Sequence, residues 1–113
     1  MSEVYRFLSN LEKKVYDWLT KNKVHFITQQ KMFGVRELGS AVVDFVIPDK
    51  NLCLRIMGGY WHSSLESKAR DELGKERLMN EGYIVVDLQE KDLTDANIER
   101  TLRLALMGQE IFR

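Results

Sequence analysis

The stretch AVVDFVIPDKNLCLRIMGGYWH, Ala41 to His62, decides how this chain folds. Two apolar runs, Ala41–Ile47 and Leu52–Met57, flank Pro48-Asp49-Lys50-Asn51. Apolar, β-branched runs around a cluster of turn formers predict two neighbouring strands joined by a tight turn. Pro48 ends the first strand, because it has no N–H to give to a sheet ladder. The second run stops at Gly58-Gly59, and Tyr60, Trp61 and His62 follow at once. Loops are normally built from Ser, Asn, Asp and Lys, so large aromatics and a histidine placed here call for a reason. The two glycines let the backbone bend tightly or approach a ligand closely.

Further elements are legible on both sides. Leu8, Leu11, Val15, Trp18 and Leu19 recur at helical spacing and predict a first helix through about Lys21. Val24–Gln30 alternates and reads as a strand. Ser64–Gly82 reads as a second helix closed by Gly82, Tyr83–Leu88 as a short apolar strand, and Asp95–Gly108 as a last helix. The order is αβββαβα. The expected fold is therefore α/β, an αβββαβ(α) core in one domain, with a mixed sheet flanked by helices.

The 113 residues, 44% hydrophobic and 30% charged, suit a single core. No apolar run approaches the roughly 20 residues of a membrane span, and the opening MSEVYRFLSN lacks a signal peptide's apolar region. The lone cysteine, Cys53, excludes both a disulfide framework and a Cys-rich zinc site, and a cytoplasmic setting is expected. Net charge is zero, which argues against strong non-specific attraction to nucleic acid. The charge is uneven, however. Residues 1–78 hold 13 Lys/Arg against 10 Asp/Glu, and residues 79–113 hold 4 against 7. That split is compatible with a polyanion-facing surface opposite an acidic back.

Ionisable residues that interrupt apolar patterns are the candidates for chemistry. Asp44 lies in the middle of VVDFVI, where a carboxylate is costly to bury unless it is paired or binds a metal. Alternation places it with Val42 and Val46, opposite Val43 and Phe45, and the plain alternative is a solvated residue on an edge strand. His62 suits proton transfer near neutral pH, although a lone histidine is more often a surface or core residue. Glu12 fits a capping box with Ser9, a role that disappears if the helix starts near Ser2. Asp71 and Glu72 read most simply as solvated helix charges with partners such as Lys75 a turn away. Tyr60 and Trp61 could be core or lid aromatics.

Taken in order, these features form a pattern: a helix Glu, a strand Asp, a strand ending in Gly-Gly-Tyr-Trp-His, then a helix Asp. LEKKVYDWLTKNKVHF, VVDFVI and MGGYWH together resemble the Vsr-like branch of the PD-(D/E)XK nuclease superfamily, which includes very-short-patch mismatch endonucleases and EDxHD homing endonucleases. The likeness covers roughly residues 8–90. It implies a restriction-endonuclease-like core and metal-assisted hydrolysis of DNA, in an enzyme of the kind phages and mobile elements encode. By this resemblance Glu12, Asp44, His62 and Asp71 fall on catalytic positions. Asp44 and the backbone carbonyl of Ile56 would hold Mg²⁺ or Mn²⁺, a sparse ligand set that such a cation accepts. His62 would act as general base, and Tyr60 and Trp61 would wedge between base pairs.

The third strand departs from the superfamily's pattern. Arg55-Ile56-Met57 stands where an acidic residue, a spacer and Lys or an acid are usual, and the mismatch endonucleases carry a second histidine where this chain has Met57. Arg55 cannot ligate a cation, but it could face a DNA phosphate and stabilise charge there. Two alternatives stand beside the nuclease: a nuclease fold without catalysis that serves as a DNA-binding or assembly subunit, and an unrelated α/β module in which Asp44 pairs with Arg55. Site specificity in so small a chain would need a homodimer or a larger complex, and the last helix, with Ile98, Leu102, Leu104 and Leu106, could pack on the sheet or mediate such a dimer.

Overall fold

The computed structural model describes residues 5–6, 8–32, 41–57 and 65–109. Its elements are α1 (Asn10–Lys21), β1 (Ile27–Met32), β2 (Ala41–Ile47), β3 (Leu52–Ile56), α2 (Leu65–Asn80), β4 (Ile84–Leu88) and α3 (Ile98–Leu106). They form one four-stranded sheet in the order β1-β2-β3-β4. The β1–β2 and β2–β3 pairs are antiparallel, and β3–β4 is parallel. A parallel neighbour needs a crossover, and α2 supplies it. The expected mixed α/β sheet flanked by helices is thus the fold observed.

α1 begins where its capping chemistry dictates. Ser9 is extended (φ −67°, ψ 168°), and its Oγ accepts the Glu12 N–H at 3.2 Å. The Glu12 carboxylate accepts the Ser9 N–H at 2.9 Å in return. These reciprocal bonds satisfy two amides that the first turn would otherwise leave unpaired. One face of α1 then buries Val15, Trp18 and Leu19. Complete burial of a side chain such as Leu19 contributes roughly 1.5–3 kcal/mol.

The sheet is covered on both sides. Val15, Trp18 and Leu19 of α1 and Leu102 and Ala105 of α3 meet Phe45, Leu54 and Val86 on one face. On the other, Leu78 of α2 meets Val43, Cys53 and Val85. α3 packs on the sheet, with Ile98 and Leu106 at the border of that core. α1 and α3 are also tied directly. The Trp18 indole N–H donates to Glu99 at 2.6 Å, Arg103 pairs with the same carboxylate, and the Arg103 guanidinium lies 5.7 Å from the Trp18 ring centre.

Regular alternation does not hold along β2. Val43 and Phe45, expected on one face, belong to different clusters: Val43 packs on the α2 side and Phe45 on the α1/α3 side. Val46 also packs on the α2 side. The strand is therefore re-aimed around Asp44 and Phe45, and β2–β3 pairing stops at Phe45–Leu54. Local breaks of this kind turn a side chain to a new direction.

The opposite end of the sheet is sewn tightly. Asn51 takes the left-handed conformation (φ 52°) that closes the β2–β3 turn. Its side-chain amide donates to Gly82 O at 2.6 Å, and its carbonyl accepts the Ile84 N–H at 2.9 Å. Gly82, at φ +96°, supplies the left-handed turn after α2. Among the described residues no helix is long and apolar enough to cross a membrane.

Candidate functional site

Two carboxyl groups separated by 32 positions in the sequence come together at the α1 side of the sheet. Glu12 is the third residue of α1, and Asp44 sits at the point where β2 leaves its regular course. Glu12 lies close enough to Asp44 to raise the pKa of its carboxyl. Two neighbouring carboxylates repel each other, so Glu12 disfavours the charged form of Asp44.

Each carboxyl is tethered to a backbone amide. Glu12 accepts from Ser9 at 2.9 Å, and Asp44 Oδ2 accepts from the Ile56 N–H at 2.7 Å. Next along β3, the Met57 N–H turns the other way, to Leu88 O at 2.8 Å. Successive residues of a strand direct their peptide groups to opposite edges, and a residue's N–H and C=O share an edge. The Ile56 carbonyl therefore faces the same edge as the amide that holds Asp44, beyond the last β2–β3 pair.

The electrostatics follow from this arrangement. Burial raises the Asp44 carboxyl from 3.8 to about 6. The Ile56 N–H opposes that rise, the charge and hydrogen bond of Glu12 add to it, and Arg55 partly offsets them. A carboxyl displaced by both burial and a like charge is expensive to ionise, and a cation would relieve that cost.

The donor set fits a hard divalent cation: two carboxyls and one peptide carbonyl, all oxygen. Mg²⁺ takes few protein ligands and keeps several waters. Among the described residues no group of three or more His, Cys, Asp or Glu side chains converges. Asp44, the Ile56 carbonyl and Glu12 are accordingly the residues that could hold the ion.

The other expected site residues are placed differently. Arg55 does not pair with Asp44, nor does it face outward for a phosphate. It is 6% exposed. Its Nε and Nη2 donate to the two oxygens of Asp87 at 2.7 and 3.0 Å, and its Nη1 donates to the Asp71 carbonyl at 2.9 Å. Lys75 lies 3.4 Å from the same Asp87 carboxylate. The parallel register sets Arg55 directly beside Asp87, which accounts for the bidentate geometry. Asp71 enters this α2-side network through its backbone carbonyl. Tyr60, Trp61 and His62 lie outside the described residues.

Asp87 is the residue that sequence reasoning missed. It carries the same signal as Asp44, an acid inside an apolar strand, but its partner is fixed only by the β3–β4 register. The chain matches no protein-family model, no curated protein and no solved structure among those with which it was compared.

Proposed function

We propose that the chain is a divalent-metal-dependent DNA endonuclease, built like the Vsr-like branch of the PD-(D/E)XK superfamily. The observation that carries this is the meeting of Glu12 and Asp44 beside Ile56. A helix Glu, a strand Asp and a peptide carbonyl of the next strand supply an all-oxygen site at one end of the sheet, next in sequence to Gly58-Gly59 and His62. Bound there, Mg²⁺ or Mn²⁺ supplies Lewis-acid polarisation of a scissile phosphate.

The chain's own residues divide the remaining tasks. Asp44 holds charge where burial and Glu12 make it costly, which favours cation uptake. Glu12, anchored on the α1 N-terminus, fixes the orientation of Asp44. His62, five residues after Met57, is the candidate to accept the proton of the attacking water. Tyr60 and Trp61 are the candidates for contact with bases.

One observation favours a second reading. Arg55, at the place of the usual third-strand acid, is consumed in the buried Asp87 pair, and Met57 offers no proton-transfer group. This supports a nuclease fold kept as a DNA-binding or assembly subunit. Plasmid nicking separates the two. The nuclease converts supercoiled DNA to open circles with Mg²⁺ or Mn²⁺, and Asp44→Ala and His62→Ala abolish the reaction. DNA binding without cleavage by the wild type supports the second reading, and no binding even at low salt removes both.

A further inference from the structure

Glu12 stands in two structures at once. It closes the capping box of α1, and it faces Asp44. The capping box already fixes this glutamate through the Ser9 amide, and the same carboxyl raises the pKa of Asp44. That proximity is unfavourable when both groups are charged, so the pair needs an external restraint. A glutamate side chain also has considerable rotamer freedom to lose when it is fixed.

The restraint is visible on each partner. Asp44 is held by the Ile56 amide in the sheet, at 2.7 Å. Glu12 is held by the Ser9 amide, at 2.9 Å, and that amide points at the carboxylate because Ser9 is extended at the helix start. The Ser9 hydroxyl maintains the extended conformation by accepting the Glu12 N–H at 3.2 Å. Without the hydroxyl the first turn loses one end of a reciprocal pair, and the amide is no longer fixed under the carboxylate.

We propose that Ser9 is a positioning residue of the Glu12–Asp44 centre, its cap bonds holding the Glu12 carboxylate against Asp44 in the arrangement that receives a cation. This rests on the metal-centre reading above. It assigns to a capping serine a role in ion affinity that helix stability alone does not require.

The test is Mn²⁺ affinity of the full chain by calorimetry, for the wild type and for Ser9→Ala, Ser9→Thr and Thr101→Val. Thr101 donates to the Asp92 carbonyl at 2.6 Å in a buried contact on α3, so its variant is a stability control away from the centre. Ser9→Ala is expected to weaken Mn²⁺ about fivefold, the equivalent of the ~1 kcal/mol typical of a lost N-cap. Ser9→Thr keeps a capping hydroxyl and restores affinity to within about twofold of wild type. Thr101→Val lowers the melting temperature but leaves Mn²⁺ affinity unchanged. Should Ser9→Ala not fold, Ser9→Gly removes the hydroxyl at little cost to the helix and is expected to weaken Mn²⁺ in the same direction by a smaller factor. Wild-type affinity in Ser9→Ala or Ser9→Gly overturns the role of Ser9 while leaving the metal centre standing. No Mn²⁺ binding by the wild type overturns the metal centre, and the role of Ser9 with it.

Discussion

Replacing Asp44 by Asn should make the metal-free protein more stable at neutral and alkaline pH. In the fold the carboxyl titrates at about 6 instead of 3.8, because it is partly buried and faces Glu12. Each pH unit of displacement corresponds to about 1.4 kcal/mol, so the ionised side chain is disfavoured in the fold by about 3 kcal/mol. The folded value lies above the unfolded one. The stability supplied by the protonated form is therefore complete below pH 3.8 and is lost as pH rises through about 6. Asparagine stays neutral throughout, keeps an oxygen for the Ile56 N–H, and offers an N–H to Glu12. At pH 8 the variant should exceed wild type by about 3 kcal/mol, and near pH 4 the difference should shrink towards zero. With urea m-values of about 1–3 kcal/mol/M, the midpoint at pH 8 moves up by about 1–3 M. Paired urea titrations at the two pH values measure this directly. Mg²⁺ should narrow the gap at pH 8, since a ligand of the native state stabilises only the protein that binds it. A variant no more stable than wild type at pH 8, or a difference independent of pH, would refute the crowding of the two carboxyls.

Other consequences follow from the same geometry. Arg55→Met removes the bidentate partner of the Asp87 carboxylate, so it should cost about 3–5 kcal/mol in chemical denaturation, while the double variant with Asp87→Leu recovers most of that loss. Leu19→Ala, at a fully buried position between α1 and the sheet, should cost about 2–5 kcal/mol by the same measurement. Trp18→Phe removes the donor to Glu99 and should cost about 1.5–3 kcal/mol, read as a lower urea midpoint. His62→Ala should leave Mn²⁺ binding intact yet slow plasmid nicking by about 10²-fold or more, because it removes a proton acceptor and no ligand.

Much of the architecture was legible because local chemistry announces it. Pro48 and Asn51 mark the turn, Ser9 and Glu12 mark the start of α1, and Gly82 marks the end of α2. The order of elements and the mixed sheet follow from hydrophobic periodicity and from the one helical crossover. Of the readings the sequence offered for Glu12, the capping box with Ser9 is the one observed, because α1 starts at Asn10 and not near Ser2. What stayed hidden depends on non-local register. Arg55 finds Asp87 only after α2 has carried the chain back to a parallel strand, so nothing near either residue in the sequence signals the pair. The break in alternation at Asp44 and Phe45 was equally hidden, because a run of apolar β-formers looks the same with or without a local re-aiming of the strand.

The proposed function stands on Asp44, the Ile56 carbonyl and Glu12 forming a working cation site. Anomalous diffraction from crystals grown with Mn²⁺ tests it most directly. A Mn²⁺ peak is expected in contact with the Asp44 carboxylate and the Ile56 oxygen, absent from Asp44→Asn crystals grown in the same way. A Mn²⁺ peak elsewhere with none at Asp44, or one that persists unchanged in the variant, would contradict it.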